Sequence, residues 1–249
     1  MRLSVTIITK NEEENIRNCL DSIAWVDEII VLDSGSTDAT VTISKQYTDK
    51  VYETDWIGFG PQKNRALKYA TGDWILSLDA DEWITPELKA EILMIIQNPG
   101  RYVAFEMPRL SSFCGQYMHY SGWWPDHVTR LCRRDMARFS DNIVHEKMIV
   151  NGKVGRLSNP IMHVSYKDLE HVLTKLNRYS IDGADLLLAK GENASLLKAM
   201  LHGLWSFIHT YILRAGFLDG RMGFILAVYN TECTYYKYLK LMMLNKNRR

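Results

Sequence analysis

Short apolar runs alternate with stretches whose apolar positions recur every three or four residues through the first part of the chain. Residues 3–9, LSVTIIT, are apolar and β-branched, the pattern of a buried strand. The chain then turns polar, and Ile16, Leu20 and Ile23 mark one face of a helix. A second strand over 28–33 runs into the turn cluster 34–38, ahead of a helix over 39–46. A third, weaker strand is expected over 50–54, and a helix over 62–70, stopped by Gly72, leads to a fourth strand within 75–83, ILSLDADEW. Thr85 and Pro86 offer an N-cap and a first helical position for a helix over 86–97, whose Leu88, Ile92, Ile95 and Ile96 read as core packing.

This alternation implies parallel strands joined by right-handed crossovers, an α/β chain with an open, mostly parallel sheet and helices on both faces. Ligands of such sheets sit beyond the carboxyl ends of the strands. The residues there are Asn11 and Glu12, Asp33, Asp55, and then Asp79, Asp81 and Glu82. In extended chain Asp79 and Asp81 point the same way and repel unless a cation lies near them. Asp oxygens suit Mg²⁺ or Mn²⁺, so a divalent-metal site competes with the plainer reading of solvated acids at a strand end. Neither G-x-G-x-x-G nor G-x-x-x-x-G-K-[ST] occurs, so a phosphate-bearing ligand needs another counter-charge. A carboxylate-held divalent ion supplies one.

The totals narrow the class. A chain of 249 residues accommodates one large domain or a domain with an appendage, and a net charge of +1 argues against a general nucleic-acid binder. Cys19, Cys114, Cys132 and Cys233 have no paired short spacing, which fits a reduced, cytoplasmic setting. The apolar stretch before Lys10 is too short for a signal peptide, so the mature protein is expected to start here and the sequon at Asn193 to stay unmodified.

The second half is less regular. A strand is expected over 102–105, and residues 117–127, YMHYSGWWPDH, are dense in aromatics that suit either sugar stacking or a core. Arg130, Arg133, Arg134 and Arg138 form a basic cluster that reads as a phosphate contact or a solvated face. His145 and His163 are each read first as hydrogen-bonded structural residues. Residues 199–213 are uncharged yet short of the roughly 20 a bilayer span needs. With Trp205 and a tail ending in Arg248 and Arg249, they suit an interfacial helical hairpin on an anionic membrane. A helical pair packed on the rest of the chain, or on a homodimer partner, is the alternative.

The runs ITKNEEENI, VLDSGSTDAT and QKNRALKYATGDWILSLDADE, in that order, resemble the nucleotide-binding half of family 2 glycosyltransferases with the GT-A fold. The HE pair, WWPD and GFLDG are similar to bacterial lipopolysaccharide-core members related to the heptose β-1,4-glucosyltransferases. The resemblance implies an inverting, metal-dependent transfer of a hexose, glucose above all, from a UDP-sugar to a lipopolysaccharide-core or related glycolipid. It implies a GT-A catalytic domain over 1–165, with a nucleotide-sugar half over 1–90 and an acceptor half over 91–165, followed by a helical region over 166–249. A peripheral location on the cytoplasmic face of the inner membrane follows from such an acceptor.

Residue by residue, the resemblance puts Thr9, Asn11 and Glu12 in the nucleoside pocket, Asp33 on the uracil ring, and Lys63 and Asn64 near base and diphosphate. Lys63 stands where the family usually has Arg and lacks its bidentate fork. Asp79 would face the ribose, Asp81 would hold Mn²⁺ or Mg²⁺, and His163 matches a C-terminal metal histidine of some GT-A enzymes. The usual Glu-Asp base pair is missing, which leaves Asp126, followed by Arg130, and Glu146 as alternative bases. Two rival readings stay open: a non-catalytic membrane-associated nucleotide-sugar-binding protein, and a metal-dependent phosphotransfer or phosphatase domain.

Overall fold

β1 (Leu3–Thr9) is buried at every position, because it pairs in parallel with a strand on each side and both of its faces are covered. The structure is a computed structural model that describes residues 1–140 and 146–246. His145, Arg248 and Arg249 lie outside the described residues. The chain divides into two units, residues 1–109 with 126–163 and residues 110–125 with 164–249.

In the first unit α1 (Ile16–Ser22), β2 (Glu28–Asp33), α2 (Thr40–Ser44), β3 (Val51–Glu53), α3 (Phe59–Tyr69), β4 (Trp74–Asp79), β5 (Glu82–Ile84) and α4 (Pro86–Gln97) follow β1. The chain continues with β6 (Tyr102–Phe113), β7 (Gln116–Tyr117), β8 (Asp126–Arg133), β9 (Ala137–Phe139), β10 (Met148–Val150), β11 (Lys153–Arg156) and β12 (Ile161–Tyr166), of which β7 and the last residues of β6 and β12 belong to the second unit. The sheet order is β3-β2-β1-β4-β8-β6-β12-β5, parallel from β3 to β4 and antiparallel where β8 joins β4 and β6. β9 and β10 form a separate antiparallel pair.

Helices cover both faces, as the alternation requires. Val5, Ile7, Leu76 and Leu78 pack with Ile16 and Leu20 of α1 and Leu88, Ile92 and Ile96 of α4. On the other face Ile30, Ile75 and Cys132 lie with Leu67, and Ile8 and Leu32 with Ala66 of α3. Each such fully buried aliphatic side chain stabilises by roughly 1.5 to 3 kcal/mol. Thr85 caps α4 by accepting from Leu88 N at 3.2 Å, with Pro86 at the first turn. Gly72 is required by close approach, since a Cβ there would lie 2.6 Å from Ser4 Oγ and 2.8 Å from Ser4 N.

The second unit is mainly three helices: α5 (Leu169–Ala189), α6 (Leu196–Phe207) and α7 (Gly220–Lys246). α7 packs against both α5 and α6, which explains why apolar residues occur all round it. Phe113, Met118, Tyr166, Val172, Leu226 and Tyr229 form its core, with the Tyr166 and Tyr229 hydroxyls 2.9 Å apart. The segment GFLDG has a defined task in this unit. The buried Asp219 carboxylate accepts from His119 N at 3.0 Å, Tyr120 N at 3.1 Å and Ser121 Oγ at 2.8 Å, fixing part of the aromatic segment. No helix among the described residues is long and apolar enough to cross a membrane.

Candidate active site

The strand-end acids are held by cations in alternation. Lys63 of α3 is 2% exposed and places Nζ 2.7 Å from both Glu146 Oε1 and Asp79 Oδ1. Arg130 of β8 takes the other Asp79 oxygen at 2.5 Å and Glu82 Oε1 at 2.7 Å. Arg109 of β6 reaches the same Glu82 oxygen at 3.4 Å and Asp126 Oδ2 at 2.6 Å. The result is a continuous chain, Glu146–Lys63–Asp79–Arg130–Glu82–Arg109–Asp126, with a carboxylate at each end.

The chain follows from the strand order. β4 ends in Asp79, β5 begins with Glu82, and β6 and β8 bring Arg109 and Asp126 directly opposite each other. Buried charges need partners, and here each inner charge lies between two of opposite sign. Burial alone would raise the Asp79 carboxyl, but Arg130 and Lys63 outweigh it and hold the group well below the usual carboxylate range. Burial would lower Arg130, and Asp79 and Glu82 more than offset it, so its guanidinium is charged at any working pH.

Asp81 stands apart from that chain. Its Oδ2 lies 3.4 Å from His163 Nε2, both side chains being partly exposed at 26% and 13%. Adjacent donors on an octahedral ion with bonds of about 2.1 Å are about 3 Å apart, so this oxygen and nitrogen fit one divalent cation. No third His, Cys, Asp or Glu joins them among the described residues. Both oxygens of Asp79 are engaged by cations, so Asp79 is not a third ligand in this arrangement.

The nucleoside-pocket candidates cluster at the ends of β1 and β2. Thr9 is buried, and its Oγ1 has no hydrogen-bond partner. Asn11, at φ 54°, donates its N–H to Ser36 Oγ at 2.8 Å and accepts from Thr37 N at 2.8 Å, clipping the two loops together. Glu12 donates its N–H to Thr40 Oγ1 at 2.8 Å and accepts from Asn15 Nδ2 at the start of α1. Asp33 is fully buried and accepts from Gly35 N, Ser36 N and Ser36 Oγ, so it shapes its own turn. Asn64 donates to Phe139 O at 2.9 Å and accepts from Phe139 N at 2.7 Å, which ties α3 to β9.

Of the two base candidates, Asp126 is the more accessible, with 44% of its side chain exposed against 15% for Glu146. Both Arg109 bonds fall on Asp126 Oδ2. Sequence reasoning missed Arg109 and gave Glu82 no individual role. Arg109 shows only as a charge within an apolar run, and its partners depend on which strands become neighbours.

A family model, glycosyl transferase family 2, matches residues 4–150. The chain belongs to this family, and its α/β architecture is the GT-A fold. An uncharacterised glycosyltransferase of Rickettsia felis is 33% identical over 242 residues, covering 90% of this chain and 83% of the relative. The lipopolysaccharide core biosynthesis glycosyltransferase LpsC of Rhizobium meliloti is 28% identical over 239 residues, covering 91% and 86%. A mycobacterial protein of solved structure superposes with a TM-score of 0.50 at 17% identity, covering 68% of this chain and 69% of that one, a likeness of fold. The chain is a glycosyltransferase, which displaces the phosphatase and non-catalytic readings.

Proposed function

We propose that this enzyme transfers a hexose, glucose in the first instance, from a UDP-sugar to a lipopolysaccharide-core or related bacterial glycolipid, with inversion at the anomeric carbon. The observation that carries the reading is the set of acids at the strand ends, with Asp79 and Glu82 locked in the ion chain and Asp81 outside it beside His163. The similarity to LpsC over most of both chains supports the acceptor class.

In this reading the loops after β1 and β2 receive the nucleoside. Thr9 Oγ1 and Arg130 Nε, both buried without a partner, are the groups a bound donor would satisfy. Asp33 keeps one of about four lone-pair sites for the uracil ring. Asp81 and His163 would hold Mn²⁺ or Mg²⁺, which supplies positive charge to a departing diphosphate when bound. Lys63 and Arg130 keep Asp79 ionised and fixed towards the ribose. Asp126 takes the proton from the attacking acceptor hydroxyl through Oδ1, the oxygen outside the Arg109 bonds, while Arg109 fixes the carboxylate.

The acceptor would be met at the cytoplasmic face of the inner membrane. Leu197, Met200, Leu201 and Leu204 recur along one face of α6 and are each more than half exposed, as is Trp205. Ile212, Leu213 and Leu218 extend this apolar surface, and Lys198, Arg214 and Arg221 lie within the same stretch of chain. Such a surface suits shallow insertion among anionic headgroups. The catalytic domain over 1–165 and the helical region over 166–249 are proposed as the donor-acceptor and membrane-contacting parts. Incubating the protein with UDP-glucose, UDP-galactose or UDP-N-acetylglucosamine and truncated lipopolysaccharide, with mass spectrometry of the glycolipid, tests this function. A hexose increment with UDP-glucose is expected, and none with any UDP-sugar refutes the donor assignment.

A further inference from the structure

A second polar feature lies on another face of α3. A cavity of about 620 Å³ opens between α3 and the turn from β8 to β9, with Ile75 and Cys132, paired across β4 and β8, and Leu67 as its apolar floor. Its polar lining is strongly one-signed. Arg65 and Lys68 come from α3, and Arg133, Arg134 and Arg138 from β8, the turn and β9, against Asp135 as the one acidic lining residue among the described residues.

Local charge of this kind is unexpected in a chain of net charge +1. Arg65 is paired with Asp55 at 2.7 Å, but Lys68, Arg133 and Arg134 have no ion-pair partner among the described residues. Arg133 lays its guanidinium over the Trp74 ring at 5.4 Å, on the sheet face opposite to Ile75 and Cys132, so Lys68 and Arg134 are the lining cations left for a ligand. The volume lies within the range of small-ligand sites. Asn64 lines the cavity and is bonded to the Phe139 backbone, while Lys63 of the acid chain places Nζ 5.3 Å over the Phe139 ring and is not a lining residue.

We propose that this cavity binds the phosphate or pyrophosphate group of a phosphorylated sugar or lipid headgroup, at a site separate from the donor acids. Arg134 supplies a forked donor, Lys68 adds a point charge, and the apolar floor takes the carbon skeleton of the ligand. Binding here needs neither UDP nor a divalent ion, so it is measured independently of the transfer reaction.

The test is titration calorimetry of the full chain at low salt with pyrophosphate, alongside flotation with phosphatidylcholine vesicles with and without phosphatidic acid. The probes are applied to the wild type, to the double variant Lys68→Glu with Arg134→Glu, and to Lys153→Glu as an exposed charge control from β11. The thermal midpoint of each variant verifies folding. The expected result is pyrophosphate binding that weakens with salt and falls at least about tenfold in the double variant, with Lys153→Glu unchanged. Added dependence on phosphatidic acid, lost in the double variant, identifies a lipid headgroup as the source; binding of pyrophosphate alone identifies a free phosphorylated ligand. Equal affinity in wild type and double variant, or no binding of either probe by the wild type, overturns the proposal.

Discussion

Lys63 and Asp79 form a 2.7 Å ion pair in which the lysine is almost fully buried, and the same Nζ holds Glu146 at 2.7 Å. One cation therefore keeps two carboxylates from opposing each other. Lys63→Met removes it, leaving Glu146 without its cation and Asp79 with Arg130 alone, which is expected to destabilise the fold by about 3 to 5 kcal/mol. Adding Asp79→Asn and Glu146→Gln to that variant should recover part of the loss. Denaturant unfolding of the single and triple variants checks both, and a single variant as stable as the wild type contradicts the pairing.

Asp126 and Glu146 are separated by kinetics. Asp126→Asn should lower kcat by about a hundred- to ten-thousand-fold while leaving donor affinity nearly unchanged. Glu146→Gln should stay within about tenfold of wild type. The reverse order of effects would move the base to Glu146.

Glu28 makes stability depend on acidity. Burial would raise its carboxyl, but Lys50, Ser4 and Thr71 bring it down to about 2 from an ordinary 4.5. A folded-state value below the unfolded one means that its stabilisation is complete above pH 4.5 and is lost as pH falls towards 2. The full contribution is about 3 kcal/mol. Urea unfolding between neutral pH and pH 3 should show a smaller acid loss for Glu28→Gln than for wild type, and equal losses would remove Glu28 as the cause.

Gly223 governs the helical unit. A Cβ at this position would lie 1.9 Å from Gly216 O and 2.9 Å from the Asp219 Cβ, and neither can retreat without moving backbone. Gly223→Ala is expected to cost about 3 kcal/mol, the upper end of the usual overpacking range. Hydrogen exchange should show the loss in α6 and α7 and not in β1 or β2. Unchanged protection in those helices contradicts the packing.

Much of the first unit was legible because its cause is local. β1, β2 and α4 fall at the expected residues, and the acids at their ends are where parallel strands deliver ligand-binding groups. The Asp79 and Asp81 pattern raised the question of a neighbouring cation, and Lys63 with Arg130 is the answer at Asp79. What the sequence could not convey is long-range pairing. The Arg109–Asp126 contact needs β6 beside β8, and the Lys63–Glu146 contact brings residues from opposite halves of the first unit together. Asp33 and Asn64 also hold local structure, a turn and a strand clip whose partners their motifs do not announce.

The most direct test of the account is thermal unfolding with UDP, with and without Mn²⁺, for the wild type, Asp81→Asn and His163→Ala. UDP at about 100 times its Kd stabilises by roughly 2.7 kcal/mol, a rise of about 5 to 10 °C at this chain length. The expected result is that rise in the wild type with Mn²⁺ and its loss in Asp81→Asn, with His163→Ala weakened. An equal rise without metal, or an undiminished rise in Asp81→Asn, contradicts the assignment of Asp81 to a donor-binding metal site.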